Sequence, residues 1–399
     1  VPGSTLLLVL TVGPPAGATG WDGDPTLYEI GLSAETFLDI QAYAFRPAET
    51  LRWHEVENGW RITGGSLNTD HAYLHSELRL KAAVTPMLNA RLWFEEEDFY
   101  EPRQSGRPLL ELEVTAPQLP ISVSALGAPA YDKRQADLGV GVTVGARPWN
   151  YLRLTWLDAD SYYNTKNSYD ESYYRKKPGQ GTVEGAYRVN DAYKLRFKLS
   201  HDRPQEFVMA DSGGVFSYEN SFYEVLVDYS VSPQRNVGAT VGGFRTRQGL
   251  AGSDTDESQD IRYGSANAYL IQRLSHANEL TLGLRYDDFR DSERGRDAAS
   301  RFDYTLRSAQ VYAELFRRFA PHQGWELGLY VGTSRETVQH RAEDIPAQRD
   351  GSFQAKAKLA WELLSANSDT ALQVAGSVNL DEIARDPFDG ASLRLRTEF

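Results

Sequence analysis

The chain contains no cysteine and only two methionines in 399 residues. Without thiols there is no disulfide framework, no thiolate zinc or iron–sulfur centre, and no covalently attached c-type haem. Surplus positive charge is missing too. Lys and Arg total 42 against 55 Asp and Glu, a net charge of −13, which argues against a general nucleic-acid binder, so no nucleic-acid partner is expected. No apolar run approaches the ~20 residues a membrane helix needs. Recognised catalytic spacings are missing as well. The histidines at 54, 71, 75, 201, 276, 322 and 340 fall in no G-x-S-x-G or H-E-x-x-H setting. No enzymatic activity, cofactor or metal site is therefore expected. What the chain does hold is aromatic: 22 Tyr, 16 Phe and 8 Trp, with 33 Gly. Disordered chains lack such content. The mean hydropathy of −0.49 suggests a soluble protein, but membrane barrels give ordinary averages because lipid-facing and water-facing residues alternate.

The strongest apolar stretch, residues 5–12, is followed by Pro14-Pro15 and by the small-x-small site Ala16-Gly17-Ala18. It reads as a secretory signal over residues 1–18, cleaved after Ala18, although the basic leading region is missing. A buried strand is the alternative. Export without cysteine fits a bacterial envelope. Residues 19–49 lack clear periodicity and are assigned to an N-terminal periplasmic or plug segment. Residues 50–399 form the remaining unit.

In that unit the dominant signal is period two. Residues 72–82 set Leu74, Leu78 and Leu80 on one face against Glu77, Arg79 and Lys81 on the other. The same alternation recurs at 136–146, 193–199 and 354–363. Short polar turns separate paired segments at 85–87, 117–120, 148–150, 190–191, 232–235, 275–278, 321–324 and 365–368. Longer connections rich in Asp, Arg, Ser, Tyr and Gly are expected between them at 158–179, 202–217, 247–260, 288–302, 336–351 and 381–390. This short–long asymmetry suits a membrane barrel, in which every backbone N–H and C=O must be paired and no sheet edge is left.

The chain ends in a strand with Leu393, Leu395, Thr397 and the terminal Phe399 on one face. Together with the alternation and the turn pattern over residues 50–399, this resembles the bacterial outer-membrane β-barrel proteins, porin-like but of no assigned subfamily. The resemblance implies that Leu393, Leu395 and Phe399 act as a C-terminal assembly signal read by barrel-assembly machinery in a Gram-negative outer membrane.

Eight hairpins, a closing strand and an opening strand within about 50–64 give an all-β fold, a transmembrane antiparallel up-and-down β-barrel of about 18 strands, with 16 as the alternative. Such a barrel is wide enough for an aqueous channel. Trp149, Tyr151, Tyr193, Tyr229, Trp325 and Trp361 lie near strand ends, where rings can sit at headgroup level.

Parity assigns the lumen-lining residues. The basic set is Arg79, Lys81, Arg91, Arg153, Arg188, Lys194, Arg196, Lys198, Arg285, Lys356, Lys358, Arg394 and Arg396. The acidic set includes Glu95, Glu184, Glu224, Asp228 and Glu314. Lys194, Arg196 and Lys198 form a ladder of one sign that would attract anions, unless Glu184 and Glu224 neutralise it. The Tyr-rich and acidic connections at 158–179 and 251–260 read as solvated loops facing lipopolysaccharide, without the spacing of an EF-hand.

The expected function is an outer-membrane channel for diffusion or facilitated transport of small solutes. The alternative is a non-enzymatic sleeve or scaffold for a partner, such as an electron-transfer cytochrome or a polysaccharide-export component. Expected partners are outer-membrane lipid and lipopolysaccharide, the assembly machinery, and a periplasmic protein or further copies of the chain.

Overall fold

The computed structural model describes residues 56–399 apart from 68–70, 100–107, 117, 129–135, 148, 161–171, 211–212, 253–255, 296–301, 341–346, 368 and 386. The signal-peptide and N-terminal segment assignments, residues 1–18 and 19–49, lie outside the described residues. The opening strand starts at Gly59.

Twenty strands make one sheet. In chain order they are β1 (Gly59–Leu67), β2 (His71–Thr85), β3 (Leu88–Phe99), β4 (Leu109–Thr115), β5 (Ile121–Ala128), β6 (Asp137–Gly145) and β7 (Tyr151–Asp158). Next come β8 (Tyr173–Lys176), β9 (Gly179–Arg188), β10 (Tyr193–Asp202), β11 (Gln205–Val208), β12 (Val215–Ser232) and β13 (Arg235–Ala251). The last are β14 (Asp256–Arg273), β15 (Asn278–Arg294), β16 (Phe302–Ala320), β17 (Gln323–His340), β18 (Gln348–Leu364), β19 (Thr370–Asn379) and β20 (Phe388–Glu398).

The short strands β8 and β11 pair with each other beyond the ends of β9 and β10, separated from them by Pro178 and Pro204. Proline has no N–H to give the ladder, so each strand breaks there. The wall itself has 18 strands, closed by antiparallel pairing of β1 with β20 from Gly59↔Glu398 to Leu67↔Gly390. All eight short turns fall between the strands they were assigned to separate.

Four stretches read as connections are half strand or more: 202–217, which holds β11 and the start of β12, with 247–260, 288–302 and 336–351. β13 continues to Ala251 and β14 begins at Asp256. β15 runs to Arg294, and β17 and β18 reach His340 and Gln348. A membrane-crossing strand needs only ~9–11 residues, yet β12 to β18 have 17–19. Their far ends stand beyond the apolar band, where both faces meet water and polar residues suit both. By contrast β4 to β7 have 7–9. One side of the barrel is therefore tall and the other low.

Burial is inverted relative to a water-soluble sandwich. In β4 the inward residues Leu109, Glu111 and Glu113 are buried, while Leu110, Leu112 and Val114 are exposed. Around the ring the exposed face carries Val123, Val142, Leu154, Val227, Val241, Leu282, Val311, Leu329, Leu359 and Val374. Buried positions carry Glu77, Arg153, Glu224, Asp287, Glu326 and Lys358. Contiguous apolar surface on this scale, with charge hidden behind it, is stable only against hydrocarbon.

This polarity makes a depth-dependent prediction. Leu329, midway along the outer face of β17, is exposed. Leu329→Arg is expected to cost ~2–4 kcal/mol, and the same residue at Thr337, beyond Arg335 on that face, ~0–1 kcal/mol. Urea midpoints for folding into lipid vesicles measure the difference.

Candidate functional site: the barrel interior

Side chains on strands that are not neighbours can meet only on the concave side of a closed sheet. Arg153 on β7 places Nη2 2.9 Å from Glu111 on β4, with β5 and β6 between them. Glu111 and Arg153 belong to a row of alternating sign. Arg91 reaches Glu113 at 2.5 Å and Glu111 at 3.5 Å. Arg153 and Arg147 lie 3.7 and 3.5 Å from Glu184. The Ser122 hydroxyl donates to Glu113 at 2.6 Å. Nearby, Glu77 receives Arg61 at 2.9 Å and Arg79 at 2.5 Å, and Lys81 pairs with Glu57 at 2.6 Å.

The ladder on β10 forms the far side of this basic wall. Lys194 stands in register with Asp228 on β12, and Lys198 with Glu224. Glu184 faces Lys198 from β9. Arg196, between them, has Leu226 and Ala186 as its register neighbours. Its guanidinium lies 4.6 Å from the Trp149 ring, which also holds Arg188 at 4.8 Å and Lys194 at 5.7 Å. Cation–π attraction of this kind strengthens as water is excluded.

Trp149 therefore turns inward. Tyr151, at 9% exposure, also lies on the inner face, under Arg147. The expectation of headgroup positions for these two is corrected: Trp149 sits in a turn, where no alternation reveals its side, and Tyr151 shares the inner face of β7 with Arg153. Tyr193 and Tyr229 do stack on the outer face at 4.3 Å, and Trp325 pairs in register with Trp361.

Lys198 also reaches across the lumen. Its ammonium lies 5.2 Å from the Trp93 ring on β3, with five wall strands between them, and Arg79 covers the same ring at 5.3 Å. The contact spans a third of the ring at this level. Parity with Arg91 was the available signal for Trp93.

The tall side presents tyrosines instead. Tyr263 donates to Asp287 at 2.7 Å, and Asp287 is also held by Arg285 at 2.9 Å. Tyr312 donates to Asn267 at 3.0 Å and stacks on Tyr330, which bonds to Glu314. Lys358 sits 2.9 Å from Glu326 and 3.9 Å from Glu314. Tyr269 and Tyr312 lie flat over Gly238 and Gly283, their register partners; a Cβ there would meet the rings at 2.2 and 2.1 Å. Glycine thus makes room for inward rings.

Lys356 joins Asp389 at 2.6 Å across β19, and Arg396 lies 3.8 Å from Glu398. Arg394 stands in register with Thr63 and Gln373. Glu95 is in register with Glu77 on β2; its side chain lies outside the described residues, as do residues 161–171 of the Tyr-rich connection. Leu393 and Leu395 point outward at the closing seam, and Phe399 is exposed with its N–H bonded to the Asn58 carbonyl at 3.2 Å. The interior is not polar throughout. Leu109, Leu126 and Leu157 cluster under Trp93, and Phe244, Tyr263, Phe289 and Leu306 cluster on the tall side. Among the described residues no group of three metal-ligating side chains occurs.

No family model matches the sequence, and no curated protein matches it. Solved structures do share its outline. OccK2 (OpdF) of Pseudomonas aeruginosa is 12% identical, with 86% of this chain and 97% of that one covered and a TM-score of 0.42. OccK5 (OpdH) of the same organism is 12% identical, covering 86% and 98%, at 0.41. A loop-deletion form of OmpT, an outer membrane protein of Vibrio cholerae, is 10% identical, covering 85% and 97%, at 0.40. The ring of 18 strands and its inside-out polarity carry the conclusion by themselves: the architecture is that of the bacterial outer-membrane β-barrel proteins.

Proposed function

We propose that the chain is a non-enzymatic outer-membrane channel that passes small hydrophilic solutes through its lumen. The carrying observation is the closed ring with buried Glu111, Arg153, Asp287 and Lys358 inside and a leucine–valine band outside. A barrel of this strand number has room for an aqueous path that a smaller one fills with its own side chains. The mechanism is size exclusion combined with the field of lumen charges. On the basic wall Arg147, Arg153, Arg196 and Lys198 are held in place by carboxylates and by Trp149 and Trp93. Side chains tethered in this way give a pore a fixed field. Leu393, Leu395 and Phe399 serve assembly in this reading.

Purified protein added to a planar lipid bilayer is expected to give stepwise insertions with steady ohmic current. Insertion verified by protease protection, with no current, would replace the channel by a sleeve closed around a partner.

A further inference from the structure

The outer face of β13 to β18 carries a feature that the lumen does not explain. A groove of about 660 Å³ crosses these strands. Ala239, Ala266, Ala268 and Ala309 form its floor, Tyr286 stands between Ala266 and Ala309 and divides it, and Phe353 bounds one end. Register aligns one row of it directly: Val241↔Ala266, Ala266↔Tyr286, Tyr286↔Ala309, Ala309↔Thr333 and Thr333↔Phe353. At ~4.8 Å per strand the row is about 24 Å across, room for several acyl chains side by side.

Four residues further along the same strands, Arg245, Arg262 and Arg290 stand directly opposite one another. That is ~14 Å beyond the groove. Like charges in register are unfavourable. The row in between contains Gly243 and Gly264, over which the Tyr223 ring lies, followed by Asp288 and Arg307. Asp260 is shared by Arg245 at 2.5 Å and Arg262 at 2.8 Å, and Asp288 by Arg290 at 2.7 Å and Arg307 at 3.5 Å. Each shared carboxylate leaves a net positive charge and more N–H donors than it accepts. In a chain of net charge −13, this is a local cationic patch. A second groove of about 480 Å³ opens there, lined by Arg245, Arg247, Arg262 and Arg294 with Glu206, Glu219 and Asp260.

We propose that this face binds a multiply phosphorylated, multi-chain lipid of the outer leaflet. Its acyl chains lie over the alanine floor, and its phosphates sit on Arg245, Arg262, Arg290 and Arg307. The site rests on the outer-membrane reading above. Charge complementarity selects the phosphorylated head, and groove width selects more than two chains. Arginine forks give phosphate paired, charge-assisted hydrogen bonds.

The test uses the folded barrel in neutral detergent and native mass spectrometry with added bisphosphorylated lipid A, dephosphorylated lipid A or phosphatidylglycerol. The expected result is retention of bisphosphorylated lipid A about tenfold more tightly than the other two, with that preference lost in Arg262→Gln/Arg307→Gln and weakened in Ala266→Phe. Heat-modifiable migration on gels confirms that each variant is folded. Equal retention of all three lipids, or unchanged preference in the arginine variant, overturns the proposal. So does a dimer that Ala266→Phe dissolves, since the occupant is then a second copy. Failure to insert into vesicles would instead remove the membrane reading itself.

Discussion

Under the proposed channel reading, neutralising the β10 ladder with Lys194→Gln, Arg196→Gln and Lys198→Gln is expected to shift the ion preference toward cations. The ladder's three cations share one face of one strand, and Glu184, Glu224 and Asp228 stand beside them in register. With the ladder intact the wall also holds Arg147, Arg153 and Arg188. Without it, the remaining carboxylates weigh more in the field along the path. Reversal potentials under a salt gradient read the outcome directly. A lumen in which the carboxylates already cancel the ladder would leave the reversal potential where it was. The variant keeps its backbone pairing and outer face, so folding should be preserved. Tryptophan fluorescence, which senses Trp93 and Trp149 beside the removed cations, reports any collapse.

Lys358→Met is expected to be the most damaging single change to stability. Lys358 is buried between Glu326 at 2.9 Å and Glu314 at 3.9 Å, and Glu326 is itself only 1% exposed. Removing the Lys358 ammonium takes away the cation that lies within reach of both buried carboxylates. Breaking a buried pair in this way costs about 3–5 kcal/mol. The double change Lys358→Met/Glu326→Gln should recover most of the loss, because the uncompensated charge goes with it. Urea titrations of the vesicle-inserted protein, compared as a double-mutant cycle, measure both steps.

Much of this architecture is written in residue parity. Glu77, Arg79 and Lys81 alternate with Leu78 and Leu80, and that alone places the first three inside and the leucines outside. Turn chemistry at Thr85, Asn190 and Ser275 is equally local: each side-chain oxygen accepts backbone N–H groups two and three residues on. Parity fails where both faces meet the same medium. The extensions with Arg245, Asp260, Arg262 and Arg290 are charged on the outer face, and their inner face mixes Phe244, Tyr263 and Phe289 with Gln248 and Gln259, so their composition resembles a loop although they are strand. It fails again at Trp149, in a turn where alternation stops. The bridge from Lys198 to Trp93 joins residues more than a hundred positions apart, and only closure of the ring brings them together.

The unequal heights of the wall also settle where the cylinder is most thinly stitched. β16 and β17 pair from Phe302↔His340 to Arg318↔Gly324 in one register, whereas among the described residues β3 and β4 meet from Leu88↔Val114 to Trp93↔Leu109. The seam that joins the two ends of the sheet, β1 with β20, is longer than that. Under lateral strain the weakest line is therefore not where the ring was last sewn shut but inside the low side, and the ion pairs that Arg91 makes with Glu111 and Glu113 across it act as rivets there.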